Sequence, residues 1–261
     1  MTEPGGSLLE ALAGREVDES GPIPLFESQG HAVAWVGSSR VSNFRCNAYL
    51  IRSGAEVWLL DPGAASEFEA VRDRVATLVP PERVTRLIAH HQDPDLAGSL
   101  PAWTELASRA VVHTTYRCSV LIEHYGVDPS RFANVDGSEG HRGVDLRFAM
   151  APFLHSPGSF ATYDPTSGFL FTGDIFAGIV DPAAWRLVTD DFETQAPALE
   201  FFHAYYMASN KALRHFVGNL EGHDVRAILP QHGSILCGAA VRPALEWLKQ
   251  LRCGLDLLPD D

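Results

Sequence analysis

The sequence predicts a mixed α/β fold in one domain. Three observations carry this. Short β-favouring runs follow one another directly between residues 31 and 61. Strands then alternate with helices along the rest of the chain. No repeat, low-complexity stretch or Pro/Gly/Ser linker divides the 261 residues. Strands that come both in adjacent runs and alternating with helices fit a simple doubly wound parallel sheet poorly.

Residues 1–30 are acidic and contain Gly and Pro, so they read as a loosely ordered lead-in, with the domain proper at 31–261. Runs 31–36, 47–51 and 57–61 read as strands broken by Gly and Ser turns. Phe68, Val71, Val75 and Leu78 recur at helical spacing, and Pro80-Pro81 stops that helix. Run 84–89 is an apolar strand that ends in the polar cluster 90–95, and Gly98 and Leu100 open the next helix. Further strands are expected at 110–113, 146–150, 161–163, 168–172 and 226–229, the last followed by a turn at 230–234. Helices are expected at 119–125, as one long segment over about 195–217, and at 242–251.

Composition narrows the function. Asp+Glu total 33 against 20 Lys+Arg, a net charge of −13, which opposes binding to nucleic acid or to an anionic membrane. No run approaches the roughly 18 apolar residues that span a bilayer. The stretch from Met1 to Gly21 lacks the basic-then-apolar order of a signal peptide. Cys46, Cys118, Cys237 and Cys253 form no C-x-x-C pair, so reduced thiols in the cytoplasm are expected.

Four strand ends carry residues that can bind metal: His91, Asp93 and Asp95 after 84–89, His155 after 146–150, Asp174 after 168–172, and His232 after 226–229. A lone His or Asp in a loop usually caps a turn or faces solvent. Four such events, each where a rigid strand hands over to a loop, point to one site. Three imidazoles and three carboxylates exceed what one zinc ion takes and suit two ions sharing a carboxylate. Asp174 is the candidate bridge, since it stands apart from the other acids on a Gly173 turn. Three carboxylates make the site hard and anionic, which favours iron or manganese, although zinc fits the ligand types. Starting the motif at His91 puts Asp93 at +2 and Asp95 at +4. Starting at His90 would put Gln92 and Pro94 there, so His90 is read as a supporting residue.

These residues resemble the metallo-β-lactamase fold superfamily and, within it, the diiron branch of flavodiiron and oxygen-binding diiron proteins. That branch has an H-x-E-x-D-H motif, a later His, an Asp after 18 intervening residues and a final P-x-H-G turn. Here His91-x-Asp93-x-Asp95, the 18 residues between His155 and Asp174, and Pro230-Gln231-His232-Gly233 correspond. The likeness covers roughly residues 31–240 and includes Asn47 to Ile51, Leu60-Asp61, Gly98 to Pro101, Ser159 to Pro165 and Tyr205-Tyr206. It implies an αβ/βα four-layer sandwich of two mixed sheets. It also implies one iron held by His91, Asp93 and His155, a second by Asp95 and His232, and Asp174 between them.

Two positions depart from the branch: its Glu is Asp93 and its second motif His is Leu96, which cannot ligate and so leaves metal 2 room for water, O2 or NO. The expected function is O2 or NO binding at a diiron centre, as a sensor or as a reductase fed by a separate flavodoxin-, rubredoxin- or reductase-like donor. The alternative is a dizinc hydrolase of an ester, thioester or lactone. With the last ligand candidate at His232, no flavodoxin domain and no FMN are expected in this chain, and a homodimer is allowed. His31, His113, His124, His141, His203, His215 and His223 read as surface or packing residues. Tyr205 and Tyr206 read as core aromatics, the alternative being an approach to the metals.

Overall fold

The structure is a computed structural model that describes residues 6–37, 43–137 and 145–259. His141 lies outside the described residues. Eight strands form the first sheet in sequence order: β1 (Gly6–Ser7), β2 (Ile23–Ser28), β3 (His31–Trp35), β4 (Tyr49–Ser53), β5 (Glu56–Leu60), β6 (Arg86–Ile88), β7 (Val111–Thr114) and β8 (Phe132–Asn134). Pairing is antiparallel from β1 to β5 and parallel from β5 to β8. The change falls where helical crossovers replace tight turns, because parallel neighbours need a long return connection. The first crossover carries α2 (Phe68–Leu78), the next α3 (Pro94–Ala97) and α4 (Leu100–Leu106), and the third α5 (Tyr116–Ile122); the short α1 (Leu9–Leu12) precedes them all.

The second sheet comprises β9 (Arg147–Met150), β10 (Phe160–Asp164), β11 (Phe169–Gly173), β12 (Val188–Thr189), β13 (Ala227–Pro230) and β14 (Ile235–Cys237), in the spatial order β12-β14-β13-β11-β10-β9. It too is mixed: β11 runs parallel to β13, and β9 and β11 both run antiparallel to β10. Helices α6 (Phe192–Tyr206), α7 (Asn210–Gly218) and α8 (Val241–Gln250) complete the chain.

Three apolar clusters define the layers. One joins the facing sides of the two sheets through Trp35, Tyr49, Ile51, Trp58, Phe160, Phe169, Phe171 and Leu229. A second lies between the first sheet and α2, α4 and α5, and includes Leu59, Val71, Leu87, Trp103 and Ile122. A third lies between the second sheet and α6, α7 and α8, and includes Leu170, Ile228, Phe202, Phe216 and Leu248. The order is helices, sheet, sheet, helices, the two-mixed-sheet sandwich the sequence led us to expect.

Besides the short elements β1, β8, β12 and α1, which the sequence reading does not contain, three elements differ from it. The lead-in carries β2, which pairs with β3 from Ile23↔Trp35 to Ser28↔His31 and buries Leu25 and Phe26 between the sheets. Its acidic, Gly/Pro-containing composition hides that apolar face. The expected single helix at 195–217 is two helices. Ser209 caps the second by accepting from the Ala212 amide, Asn210 N–H donates to Asp256 at 2.6 Å, and Ala208 N–H donates to the Phe153 carbonyl. Those tertiary bonds break a helical apolar pattern that continues through the gap. The turn at 230–234 leads into β14, which was not expected as a strand.

Phe171 is fully buried between the sheets, with its ring 5.3 Å from that of Tyr49. Phe171→Ala is expected to cost about 3–5 kcal/mol in urea unfolding; a loss below about 1 kcal/mol would contradict this packing.

Candidate metal centre

The topology gathers the expected residues at one edge. β11 and β13 are parallel, with Gly173 opposite Pro230, so Asp174 and His232 leave neighbouring strands on the same side. β9 has the same direction two strands away and is followed by His155. From the other sheet, β6 delivers residues 90–95 across the sandwich. All six predicted ligands meet there.

Asp174 lies between two groups, one facing each of its oxygens. Its Oδ2 is 3.0 Å from His155 Nε2 and 3.6 Å from His91 Nε2, and Asp93 Oδ2 completes that group at 3.3 Å from His155 Nε2. Its Oδ1 is 3.5 Å from His232 Nε2, which lies 3.2 Å from Asp95 Oδ2. Three buried atoms at this centre, His91 Nε2, Asp174 Oδ1 and His232 Nε2, have no hydrogen-bond partner. A buried polar atom left unpaired costs roughly 1–3 kcal/mol. Three converging on one spot, from two imidazoles and a carboxylate, fit cations as their partners.

Surrounding residues fix these side chains. His232 Nδ1–H donates to the Arg45 carbonyl at 3.0 Å, which turns the Nε2 lone pair inward, and the Phe44 ring stacks on the imidazole at 3.5 Å. Asp93 occupies the N-cap position of α3, yet its side chain caps nothing. Instead Gln92 Nε2–H donates to Asp93 Oδ1 at 2.8 Å, while Gln92 Oε1 accepts from Ser156 Oγ at 2.5 Å. The Tyr125 hydroxyl donates to the Gln92 carbonyl at 2.8 Å.

His90 is fully engaged elsewhere. Its amide and Nδ1 bond the Asp61 carboxylate at 3.1 and 2.6 Å, and its Nε2 bonds Thr162 Oγ1 at 2.9 Å, so it supports the loop, as its place in the motif suggested. Asp61 takes a left-handed φ of 49° to make those bonds. Gly173 has φ +55°, and a Cβ there would lie 2.9 Å from His90 Cβ, so only glycine fits the turn before Asp174. Gly233 has φ +87°, and a Cβ there would lie 3.0 Å from the Gly178 amide nitrogen. Of these supports, the sequence singled out His90, Gly173, Gly233 in its Pro-x-His-Gly turn, and the Leu60-Asp61 and Ser159 to Pro165 segments that carry Asp61 and Thr162; it assigned no role to Phe44, Arg45, Gln92, Ser156 or Tyr125.

The electrostatics are those of a cation site. Burial alone would lower the His155 pKa, but its bonds to Asp174 and Asp93 hold it up at about 10. Burial would likewise lower His232, and Asp95, Cys46 and Asp174 raise it well above the usual imidazole range. Burial would raise Asp174, yet His91, His155 and His232 bring it well below the usual carboxylate range. The bond with His155 lowers Asp93 against its partial burial. Asp93 and Asp95 are 34% and 35% exposed, which leaves one side of the site open to small molecules.

The aromatic expectations change. Tyr205 and Tyr206 are 75% and 56% exposed, so neither is a core residue. The Tyr206 ring stacks on Phe202 and meets the His155 ring edge-on at 6.0 Å. Leu96 is fully buried in the apolar layer between the first sheet and its helices. His203 is buried behind the site. Its Nδ1–H donates to the Leu199 carbonyl at 2.7 Å, and its Nε2 accepts the Phe176 amide at 2.9 Å, which holds Phe176 at φ 68° two residues beyond Asp174.

A sandwich of two mixed sheets with His and Asp side chains gathered at one edge is the metallo-β-lactamase-like architecture. The chain belongs to the ODP family of beta-lactamase-like proteins, whose model matches residues 44–233. The structure of the chemotaxis sensor ODP as a peroxy diiron species is 30% identical with a TM-score of 0.79, over 91% of this chain and 97% of that one. The apo chemotaxis sensor ODP from T. denticola gives 30% and 0.77, over 90% and 97%. A flavo-diiron protein mutant from Thermotoga maritima gives 22% and 0.72, over 87% and 61%, a likeness of fold. Among curated relatives, the diflavin flavoprotein A 1 of Synechocystis is 29% identical over 63% of this chain, and the flavo-diiron protein FprA2 of Clostridium acetobutylicum 28% over 73%. The chain spans 29% and 49% of the length of these two proteins.

Burial lowers the His203 pKa to about 4, against 6.5 in an exposed chain. The unfolded chain therefore takes up this proton first as pH falls. The stability His203 contributes is complete above pH 6.5 and is lost down to pH 4, at about 1.4 kcal/mol per unit. In urea unfolding of the metal-free protein, His203→Asn should lose about 3 kcal/mol less than the parent between pH 7 and 4; equal losses would refute the neutral, buried imidazole.

Proposed function

We propose that the chain is a diiron protein that binds O2 or NO, with a sensing role favoured over a reducing one. The observation that carries this is the position of Asp174, whose two oxygens face two separate His/Asp groups. That arrangement suits a carboxylate shared by two ions. His91, Asp93 and His155 would hold iron 1, Asp95 and His232 iron 2, and Asp174 both. Iron is favoured over zinc or manganese by the hard carboxylate-rich set together with the diiron relatives. Bound iron would supply O2 or NO binding and electron transfer to it.

The chain's own residues do the rest. The Arg45 carbonyl and Phe44 fix the His232 ring, Gln92 aims Asp93, and the Gly173 turn and His203 fix Asp174. The open side beside Asp93 and Asp95 admits a diatomic ligand. The sensing role is supported by the likeness to the chemotaxis sensor over nearly the full length of that chain. In the reductase variant of this reading, electrons come from a flavodoxin-, rubredoxin- or reductase-like donor. That likeness also weighs against the dizinc hydrolase, as do Asp93 and Leu96 in place of the two histidines that the zinc enzymes have there. No helix among the described residues is long and apolar enough to cross a membrane, which is compatible with the cytoplasmic location expected from the sequence.

Anaerobic loading with Fe(II) should give about two irons per chain, and air should then produce a visible absorption band. Asp174→Ala should retain fewer than one iron and show no band. Two zinc ions in the purified protein and no spectral response to air would overturn the proposal.

A further inference from the structure

The second group has a member that the motif spacing does not show. Cys46 Sγ, an Asp95 carboxylate oxygen and a His232 ring nitrogen all lie within 4.8 Å of one another. Donors held 2.0–2.3 Å from one tetrahedral ion lie roughly 3.3–3.8 Å apart, so a small inward movement would bring these three to a common ion. His232 Nε2 is fully buried, makes no hydrogen bond, and faces this group at 3.2 Å from Asp95 Oδ2.

The backbone holds Cys46 in place. Cys46 forms an antiparallel bridge with His232 itself. On one side of it, the Arg45 carbonyl accepts from His232 Nδ1. On the other, the Asn47 amide donates to the Gln231 carbonyl at 2.6 Å, and the Asn47 side-chain amide donates to the Pro230 and Gly233 carbonyls at 2.9 Å each. Both neighbours of Cys46 are thus tied to the turn that carries His232, and the thiol has little freedom to leave. Among the described residues, the metal-capable groups that meet here besides Cys46 are Asp95, His232 and the shared Asp174, and Leu96, next to Asp95 in the chain, supplies no donor atom.

We propose that Cys46 Sγ is a ligand of the second metal, joining Asp95, His232 and Asp174. This rests on the two-metal reading above. As the sulfur–metal bond forms, the thiol S–H bond breaks and its proton passes to water, with no change of oxidation state. The two ions then differ in kind: the first has only nitrogen and oxygen ligands, the second one soft sulfur. A thiolate donates charge strongly, so the second ion would carry a sulfur-to-metal absorption that the first lacks.

Anaerobic loading with Co(II) tests this. The parent and Cys118→Ser should show a near-ultraviolet sulfur-to-cobalt band that Cys46→Ser lacks, with circular dichroism reporting whether each variant is folded. X-ray absorption at the cobalt edge of the parent needs no variant, and should find one sulfur at about 2.3 Å for every two ions. Two bound ions with only nitrogen and oxygen neighbours, or a band that survives in Cys46→Ser, would overturn the assignment while leaving the two-metal reading intact. Failure of the parent to bind any ion would overturn both.

Discussion

The structure turns on one buried carboxylate. Asp174 sits among three imidazoles, with one oxygen toward His91 and His155 and the other toward His232. Burying a charge is costly unless opposite charge surrounds it. In the metal-free chain, protonated His155 and His232 provide that charge, which is why both histidines are shifted up and Asp174 down. Cations placed on either side would take over that role and pair the buried nitrogens and oxygen that now lack partners.

Everything near Asp174 serves to hold its direction. Parallel pairing of β11 with β13 sets its height relative to His232. A left-handed glycine before it and a left-handed Phe176 after it shape the turn, and His203 anchors the latter. Across the interface, the Asp61–His90–Thr162 chain joins the two sheets directly behind the ligand loop. These contacts place the centre at the seam of the sandwich, where small shifts of one sheet against the other would alter both metal groups together.

Much of the site was legible in the sequence because strand ends announce themselves. An apolar run ending in His, Asp or Pro-x-His-Gly marks the residue that a rigid strand delivers, and all six predicted ligands meet at one centre. What was not legible acts across distance. Cys46 lies far from His232 in the chain, and only the β-bridge between them brings the thiol to the second group. Gln92 looked like a spacer inside the motif, yet its side chain links Asp93 to Ser156. The break between α6 and α7 is set by contacts of residues 208–210 with Phe153 and Asp256, which no local pattern records. β2 was hidden by the acidic composition around it, although Ile23, Leu25 and Phe26 give it an apolar face.

Anomalous diffraction at the iron edge from anaerobically loaded crystals tests the central claim most directly. The account predicts two peaks roughly 3.5–4 Å apart, as in other two-metal sites, one within bonding distance of His91, Asp93 and His155, the other of Asp95 and His232, with Asp174 between them. A single peak, or two peaks that do not share Asp174, would contradict it.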